Sequence, residues 1–329
     1  MFVHVALDGV ADGPLGVGLD VVAAARRITL ASRAGPTSDP RALTQRVVSM
    51  DGAPVVSGAG RPVAVDGALR LRALLRGDVL LVPGLSAVTE DAVRALLVRP
   101  DVAQLAAAIA RAREKGVTIA GSCSATFVLA ASGVLAGHEA TTTWWLAPVF
   151  RRTFPDVELT SDRMVVERDG VFSAGSAFAH ADLVLAVLGK VAGPTLAHLV
   201  AKYLVLDERP SQAKYMIASH LRTDDPSVRA VERFVAQNLA RRISLDELAR
   251  VARTSPRTLA RRLREALGAT PTELVHRMRI ARARHLLETT RCSVEEVAAQ
   301  VGYVDPAAFR RIYRRYAGET PTASRLQGG

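Results

Sequence analysis

Toward the end of the chain, one pattern of apolar and polar positions is written twice. Ser244-Leu-Asp-Glu247-Leu-Ala is followed by Ser255-Pro-Arg-Thr-Leu259 and closes at Gly268-Ala-Thr270-Pro271. Ser293-Val-Glu-Glu296-Val-Ala is followed by Asp305-Pro-Ala-Ala-Phe309 and closes at Gly318-Glu-Thr320-Pro321. The copies lie 49 residues apart at first and 50 thereafter, so one residue has been inserted between the paired helices. Spacing, capping residues and apolar pattern rarely coincide by chance, and together they mark two copies of one supersecondary unit. Ser244 with Glu247, and Ser293 with Glu296, predict capping boxes, in which hydroxyl and carboxylate satisfy the free amides of a helix's first turn. Ser255-Pro256 and Asp305-Pro306 then supply an N-cap followed by proline at the first helical position, where its missing donor costs nothing. Two short helices joined by a tight turn, with Leu245, Leu248, Leu259 and Leu263 facing inward, predict a helix-turn-helix. Val294, Val297, Phe309 and Tyr313 repeat that core. Just upstream, residues 227–239 carry Val228, Val231, Phe234 and Val235 at the spacing of one more helix.

The preceding two-thirds follows a different rhythm. Val3-His-Val-Ala-Leu7, Val79-Leu-Leu-Val82, Val117-Thr-Ile-Ala120 and Met164-Val-Val166 are short apolar runs, while residues 91–115 and 125–135 carry helical spacing. Strands alternating with helices predict an α/β domain, a parallel sheet flanked by helices of the flavodoxin-like kind. Helical periodicity gives way to polar turn residues at about 219–226, the expected linker.

Charge separates the two regions further. From residue 221 onward the chain holds 21 arginines, no lysine and 12 acidic residues, net +9, against +2 for residues 1–220; nearly all of the overall +11 sits in the last third. That is the footprint of a polyanion-binding module. With the leucines inward, Arg257, Arg261, Arg262 and Arg264 lie on the outer faces of one second helix, and Arg310, Arg311, Arg314 and Arg315 on those of the other. Arginine can pair bidentately with guanine edges and can clamp phosphate. No run approaches the ~20 apolar residues that span a bilayer, and no basic-then-apolar leader opens the chain, so a cytoplasmic protein without membrane partners is expected. Cys123 and Cys292 fall in separate regions, which argues against a disulfide framework. No cofactor or metal site is expected.

The stretch Val297-Ala-Ala-Gln-Val-Gly-Tyr-Val-Asp-Pro-Ala-Ala-Phe-Arg-Arg-Ile-Tyr-Arg-Arg-Tyr-Ala-Gly-Glu-Thr-Pro321 resembles the signature of AraC/XylS-type transcription regulators, and residues 248–271 resemble the first helix-turn-helix of the same domain. The resemblance implies an all-α DNA-binding domain over 227–329, with units at about 244–267 and 293–316. A linker helix over about 272–288, launched by Thr270-Pro271 and Glu273, would hold both second helices in successive major grooves of double-stranded promoter DNA. By position it assigns Arg257, Ala260 and Arg261, then Pro306, Ala307 and Arg310, to base edges, with Thr258 and Arg262 on the same first face. Pro306 and Ala307 offer no side-chain hydrogen bond; Arg311, Arg314 and Arg315 suit phosphate, which positions without reading sequence.

In the front region, Val117-Thr-Ile-Ala-Gly-Ser-Cys123-Ser-Ala-Thr-Phe-Val reads as strand, sharp turn and helix. A cysteine there faces the positive end of a helix, which predicts a lowered thiol pKa, the geometry of a nucleophile elbow. With Asp78-Val-Leu-Leu-Val-Pro-Gly84, Gly137-His-Glu-Ala-Thr-Thr-Thr-Trp144 and Phe172-Ser-Ala-Gly-Ser-Ala-Phe-Ala-His-Ala-Asp182, it resembles the ThiJ/PfpI superfamily, related to class I glutamine amidotransferases, over about residues 1–190. A connecting helix and linker would fill 191–226. Enzymes of that superfamily commonly hold a histidine beside the cysteine; Thr143 stands where regulator relatives often carry it, and the first strand's exit offers no assignable glutamate. His138 and His180 are the available substitutes. No catalytic residues are therefore assigned. Cys123, Ser124, Thr143 and Trp144 instead form a candidate pocket for a small-molecule effector, polar donors beside aromatic surface. The resemblance also implies a homodimer through the front domain, and RNA polymerase as a partner if the protein activates. A cysteine hydrolase or amidotransferase-like enzyme fused to a DNA-tethering module is the alternative, and a constitutive DNA binder whose front domain only dimerises is a third.

Overall fold

The run Phe-Val-His-Val is buried along its whole length because it lies inside a sheet covered on both faces, where apolar residues need not alternate with polar ones. In a computed structural model, residues 1–31, 43–207, 209–216 and 225–326 are described. They divide into two units, Met1–Pro210 and Ser211–Gly329.

The first unit is α/β. Its strands are β1 (Phe2–Val5), β2 (Gln45–Val48), β3 (Val55–Val56), β4 (Pro62–Val63), β5 (Val79–Val82), β6 (Thr118–Ser122), β7 (Glu139–Ala140), β8 (Glu158–Leu159), β9 (Val165–Arg168) and β10 (Val171–Ala174). Six of them form one sheet in the order β2-β1-β5-β6-β10-β9. All neighbours in it are parallel except β9, an antiparallel edge strand. The helices are α1 (Asp12–Ala31), α2 (Glu90–Leu97), α3 (Pro100–Glu114), α4 (Ala125–Ala131), α5 (Ala147–Thr153), α6 (Ala179–Ala192) and α7 (Pro194–Tyr203). One sheet face, with Phe2, Leu81, Ala120 and Phe172, packs on Val21 and Val22 of α1 and on Leu183 and Val187 of α6. The other, with Val3, Leu80 and Ile119, packs on Leu105 and Ile109 of α3, Phe127 of α4 and Phe150 of α5.

Several boundaries differ from the sequence pattern. The helical spacing over 91–115 is two helices, because Pro100 starts α3 and forces Arg99 before it into extended backbone, φ −69° and ψ 135°. Helix α4 stops at Ala131, four residues short of the expected end, where Gly133 turns at φ +81°.

The second unit is helical: α8 (Pro226–Gln237), α9 (Leu245–Val251), α10 (Pro256–Leu267), α11 (Pro271–Thr289), α12 (Val294–Gln300), α13 (Pro306–Ala317) and α14 (Pro321–Leu326). Of the linker expected over 219–226, residues 219–224 lie outside the described residues. Ser255 caps α10 by accepting from the Thr258 amide, and Asp305 caps α13 by accepting from the Ala307 amide. Gly268 and Gly318 close both helices in the left-handed conformation. Ser293 and Glu296 form the full capping box of α12. The box predicted for α9 is only half made: Ser244 accepts from the Glu247 amide, but the Glu247 carboxylate turns away to the guanidinium of Arg241, at 2.6 and 3.0 Å. A bidentate, charge-assisted pair outcompetes a single bond to a backbone amide. Leu245, expected inward, is 45% exposed, since the first turn of α9 projects beyond the core. The other predicted core positions of that copy, Leu248, Leu259 and Leu263, are buried, as are Val297, Phe309 and Tyr313 of the second; Val294 is half-buried.

Candidate nucleic-acid interface and the Cys123 turn

Each helix-turn-helix puts its leucines or aromatics on one face and its arginines on the other. Along α10, Leu259, Leu263 and Leu267 are buried while Arg257, Arg261 and Arg264 are exposed. Along α13, Phe309, Tyr313 and Ala317 are buried while Ala307, Arg310, Arg311, Arg314 and Arg315 are exposed. Pro306 is half-buried in the first turn. The arginines are not equivalent. Arg261 is bonded to Glu265 one turn on, at 2.8 Å, and Arg310 to Glu295 of α12. Arg262 is half-buried and donates to Ser227 at 3.0 Å, so it braces α10 against the start of α8. The Thr258 hydroxyl is shared with the Ser255 cap, 2.9 Å away, and Ala260 is half-buried. Exposed pairs of the Arg261–Glu265 kind are worth little and exchange readily for phosphate.

What holds the two helix-turn-helices together was not legible in the sequence. Helix α11 carries His276 and Arg279 against the turn of the second helix-turn-helix. His276 Nδ1 lies 2.7 Å from the Tyr303 hydroxyl with the two rings stacked, and Arg279 sits over the same ring, 5.4 Å from its centroid. The one available signal was the burial expected of a linker-helix position facing both units.

In the first unit, Cys123 occupies the turn between β6 and α4 with φ +57°, a strained value for a side-chain-bearing residue. Its amide is held by the carbonyls of Ala174 and Gly175, at 3.0 and 2.7 Å, and its carbonyl by the Thr142 hydroxyl, at 2.7 Å. Ser124 exchanges both its bonds with the backbone of Leu85. Thr143 lies against the thiol and 3.4 Å from the Ser176 hydroxyl. Ser124 and Thr143 both lie at the Cys123 thiol, and Cys123, Ser124, Thr143 and Trp144 are each no more than 5% exposed. The lowered thiol pKa is not found: burial pushes the Cys123 thiol up, and the hydrogen bonds from Ser124 and Thr143 offset only part of that. Desolvation of the thiolate outweighs a helix terminus of one short helix.

Neither substitute histidine serves the thiol. His138 is half-exposed and 3.4 Å from Asp169. His180 is fully buried on α6 and its Nδ1 is engaged with the Ser122 hydroxyl at 2.9 Å. Burial, and then the neighbouring His4, push its pKa down to about 3, so it is a poor proton acceptor.

Residues 248–327 match the helix-turn-helix domain family. The chain is 30% identical over 282 residues to the HTH-type transcriptional regulator CdhR of Pseudomonas aeruginosa, covering 85% of this chain and 80% of that one. It is 29% identical over 217 residues to the HTH-type transcriptional regulator GlxA of Rhizobium meliloti, covering 65% and 67% respectively. Among solved structures it is similar to an AraC family transcriptional regulator from Pseudomonas putida, with 20% identity and a TM-score of 0.49 over 62% of this chain and 98% of that one. With two capped, arginine-faced helix-turn-helices that follow an α/β unit in the sequence, the chain belongs to the AraC/XylS-type transcription regulators.

Proposed function

We propose that the second unit binds double-stranded promoter DNA with α10 and α13 in successive major grooves, and that the first unit is a non-catalytic sensor that pairs two copies of the chain. The observation that carries the reading is the pair of exposed arginine faces, on helices whose opposite faces are core. Arg257, Ala260 and Arg261 read base edges, with Thr258 and Arg262 setting the helix's seat. Pro306, Ala307 and Arg310 lie against the second groove, and Arg311, Arg314 and Arg315 grip phosphate. A small-molecule effector binds beside Cys123, Ser124, Thr143 and Trp144 and shifts the population of DNA-competent arrangements, to the extent that it favours one over another. RNA polymerase is the further partner if the protein activates. Absence of chemistry is supported by the threonine at 143 and by a thiol whose pKa burial raises.

The test is binding to the DNA upstream of its own gene against scrambled DNA of equal length, over a salt series, with an Arg257→Ala/Arg261→Ala variant alongside. Specific binding that the variant loses is expected; affinity equal for both DNAs, or none at low salt, overturns the reading. The strained backbone at Cys123 favours one second reading, a cysteine hydrolase or amidotransferase-like enzyme tethered to DNA. It predicts turnover of a supplied ester or glutamine that Cys123→Ala abolishes.

A further inference from the structure

The apolar interior of the second unit is two clusters. Val228, Leu248, Leu259, Leu263, Leu274 and Val275 belong to the first, and Ile280, Ala283, Val297, Phe309 and Tyr313 to the second. Both draw on α11, and the division along that helix falls between Val275 and Ile280. Arg279 stands at this division and is only 8% exposed. Its Nη2 donates to the carbonyl of Arg241 at 2.6 Å, in the loop that precedes the first helix-turn-helix. The side chain of Arg241 in turn holds Glu247 on α9. On its other side, the Arg279 guanidinium covers the Tyr303 ring in the turn of the second helix-turn-helix. Gly302 beside it adopts φ +83°, and a Cβ there would come within 2.7 Å of Arg279 Nη2 and still closer to the Leu239 carbonyl. One side chain therefore touches the loop that leads into the first helix-turn-helix and the turn of the second. Its Nε has no hydrogen-bond partner among the described residues.

A buried guanidinium with an unpaired donor is a poor device for stability, because its desolvation offsets what it gains. Its planar fork is a good device for geometry. We infer that Arg279 is a positioning residue that fixes the angle and separation between α10 and α13, and hence the spacing of the two DNA segments they read. The inference rests on the reading that both helices engage one duplex.

The experiment begins with a site selected from a random duplex library on the full-length wild-type chain. Binding is then measured to that site and to one carrying a single inserted base pair between the two contacted segments, which rotates one against the other by about 35°. Wild type should lose about tenfold or more on the insertion. Arg279→Met, with an unchanged circular dichroism spectrum, should bind the selected site at least tenfold more weakly and show a much smaller insertion penalty. A role in stability alone would leave the penalty of the folded variant unchanged. If wild type shows no penalty, the two-helix reading fails; if wild type shows it and folded Arg279→Met shows the same, the positioning role fails. Should Arg279→Met not fold, Arg279→Lys decides the question. It keeps the charge but lacks the fork, so the penalty should still shrink, and an unchanged penalty refutes the inference.

Discussion

Acidification should destabilise the first unit already between pH 7 and 5, because that unit buries two histidines in the neutral form. His4 on β1 and His180 on α6 are both 0% exposed and flank Gly18 of α1, whose absent Cβ would lie 3.1–3.3 Å from both rings. Gln45 donates to the Leu19 carbonyl, so its Oε1 faces His4 Nε2 at 3.2 Å and His4 carries its proton there. His4 Nδ1 and His180 Nε2 have no hydrogen-bond partner among the described residues. Burial pushes His4 down to about 4, with the Gln45 bond opposing, and burial together with His4 pushes His180 down to about 3, both from 6.5.

The sign follows from proton counts. Between the unfolded value of 6.5 and the folded values, the unfolded chain binds more protons, so stability falls as pH falls through that window. At pH 5 each histidine has lost about 2 kcal/mol at roughly 1.4 kcal/mol per pH unit, about 4 kcal/mol for the pair. That is a large share of the roughly 5–15 kcal/mol by which a domain is stable. Trp144 and Trp145 are the only tryptophans of the chain, so their fluorescence reports the first unit alone. Urea titrations followed by that signal at pH 7, 6 and 5 should lose roughly 1–2 kcal/mol in the first step and roughly 2–3 in the second. A change under 1 kcal/mol between pH 7 and 5, or an equal loss in a folded His4→Gln/His180→Gln variant, would refute the reasoning.

Other expectations are simpler. Iodoacetamide at pH 7.5 should modify Cys123 slowly in the native chain and rapidly in urea, by peptide mass mapping, because its thiol is 4% exposed and its pKa is raised by burial. Leu263→Ala, at a position of zero exposure in α10, should cost roughly 2–5 kcal/mol, read as a lowered helical melting transition without change in tryptophan fluorescence. Ser293→Ala removes a capping box and should cost about 1 kcal/mol in the same melt. Arg257→Ala should relax base preference at one position of a selected site, whereas Arg314→Ala should weaken all sequences alike and reduce the salt slope by about 1, both read from binding isotherms.

The second unit was legible because its signals are local. Caps, prolines at the first turn and closing glycines act within a few residues, and they reproduce in both copies. Where a long-range partner intervened, the pattern misled: Arg241 drew Glu247 out of its capping box, and Pro100 split a helical run that periodicity joined. In the first unit the turn at Cys123 was legible, but helix α1 was not. Gly13, Gly16 and Gly18 argue against a helix in isolation, and only the approach of His4 and His180 to Gly18 shows why glycine stands there. The thiol pKa was misjudged for a related reason, since burial is a property of the assembled sheet and helices.

The two recognition helices differ in a way that makes their relative placement matter. Arg257 stands exposed in the first turn of α10, while α13 opens with Pro306 and Ala307, whose side chains cannot donate to a base edge. The exposed charge of α13 lies further along, at Arg311, Arg314 and Arg315, and suits the sugar-phosphate backbone. A reader and a grip work as one only if their separation is fixed: phosphate contacts recur at every step of the duplex, so by themselves they select no register. The two apolar clusters each pack one motif on its own half of α11 and share no residue. On the proposed reading the side chain that crosses between halves, Arg279, with the Arg241 carbonyl on one side and the Tyr303 ring on the other, would set that separation along the DNA.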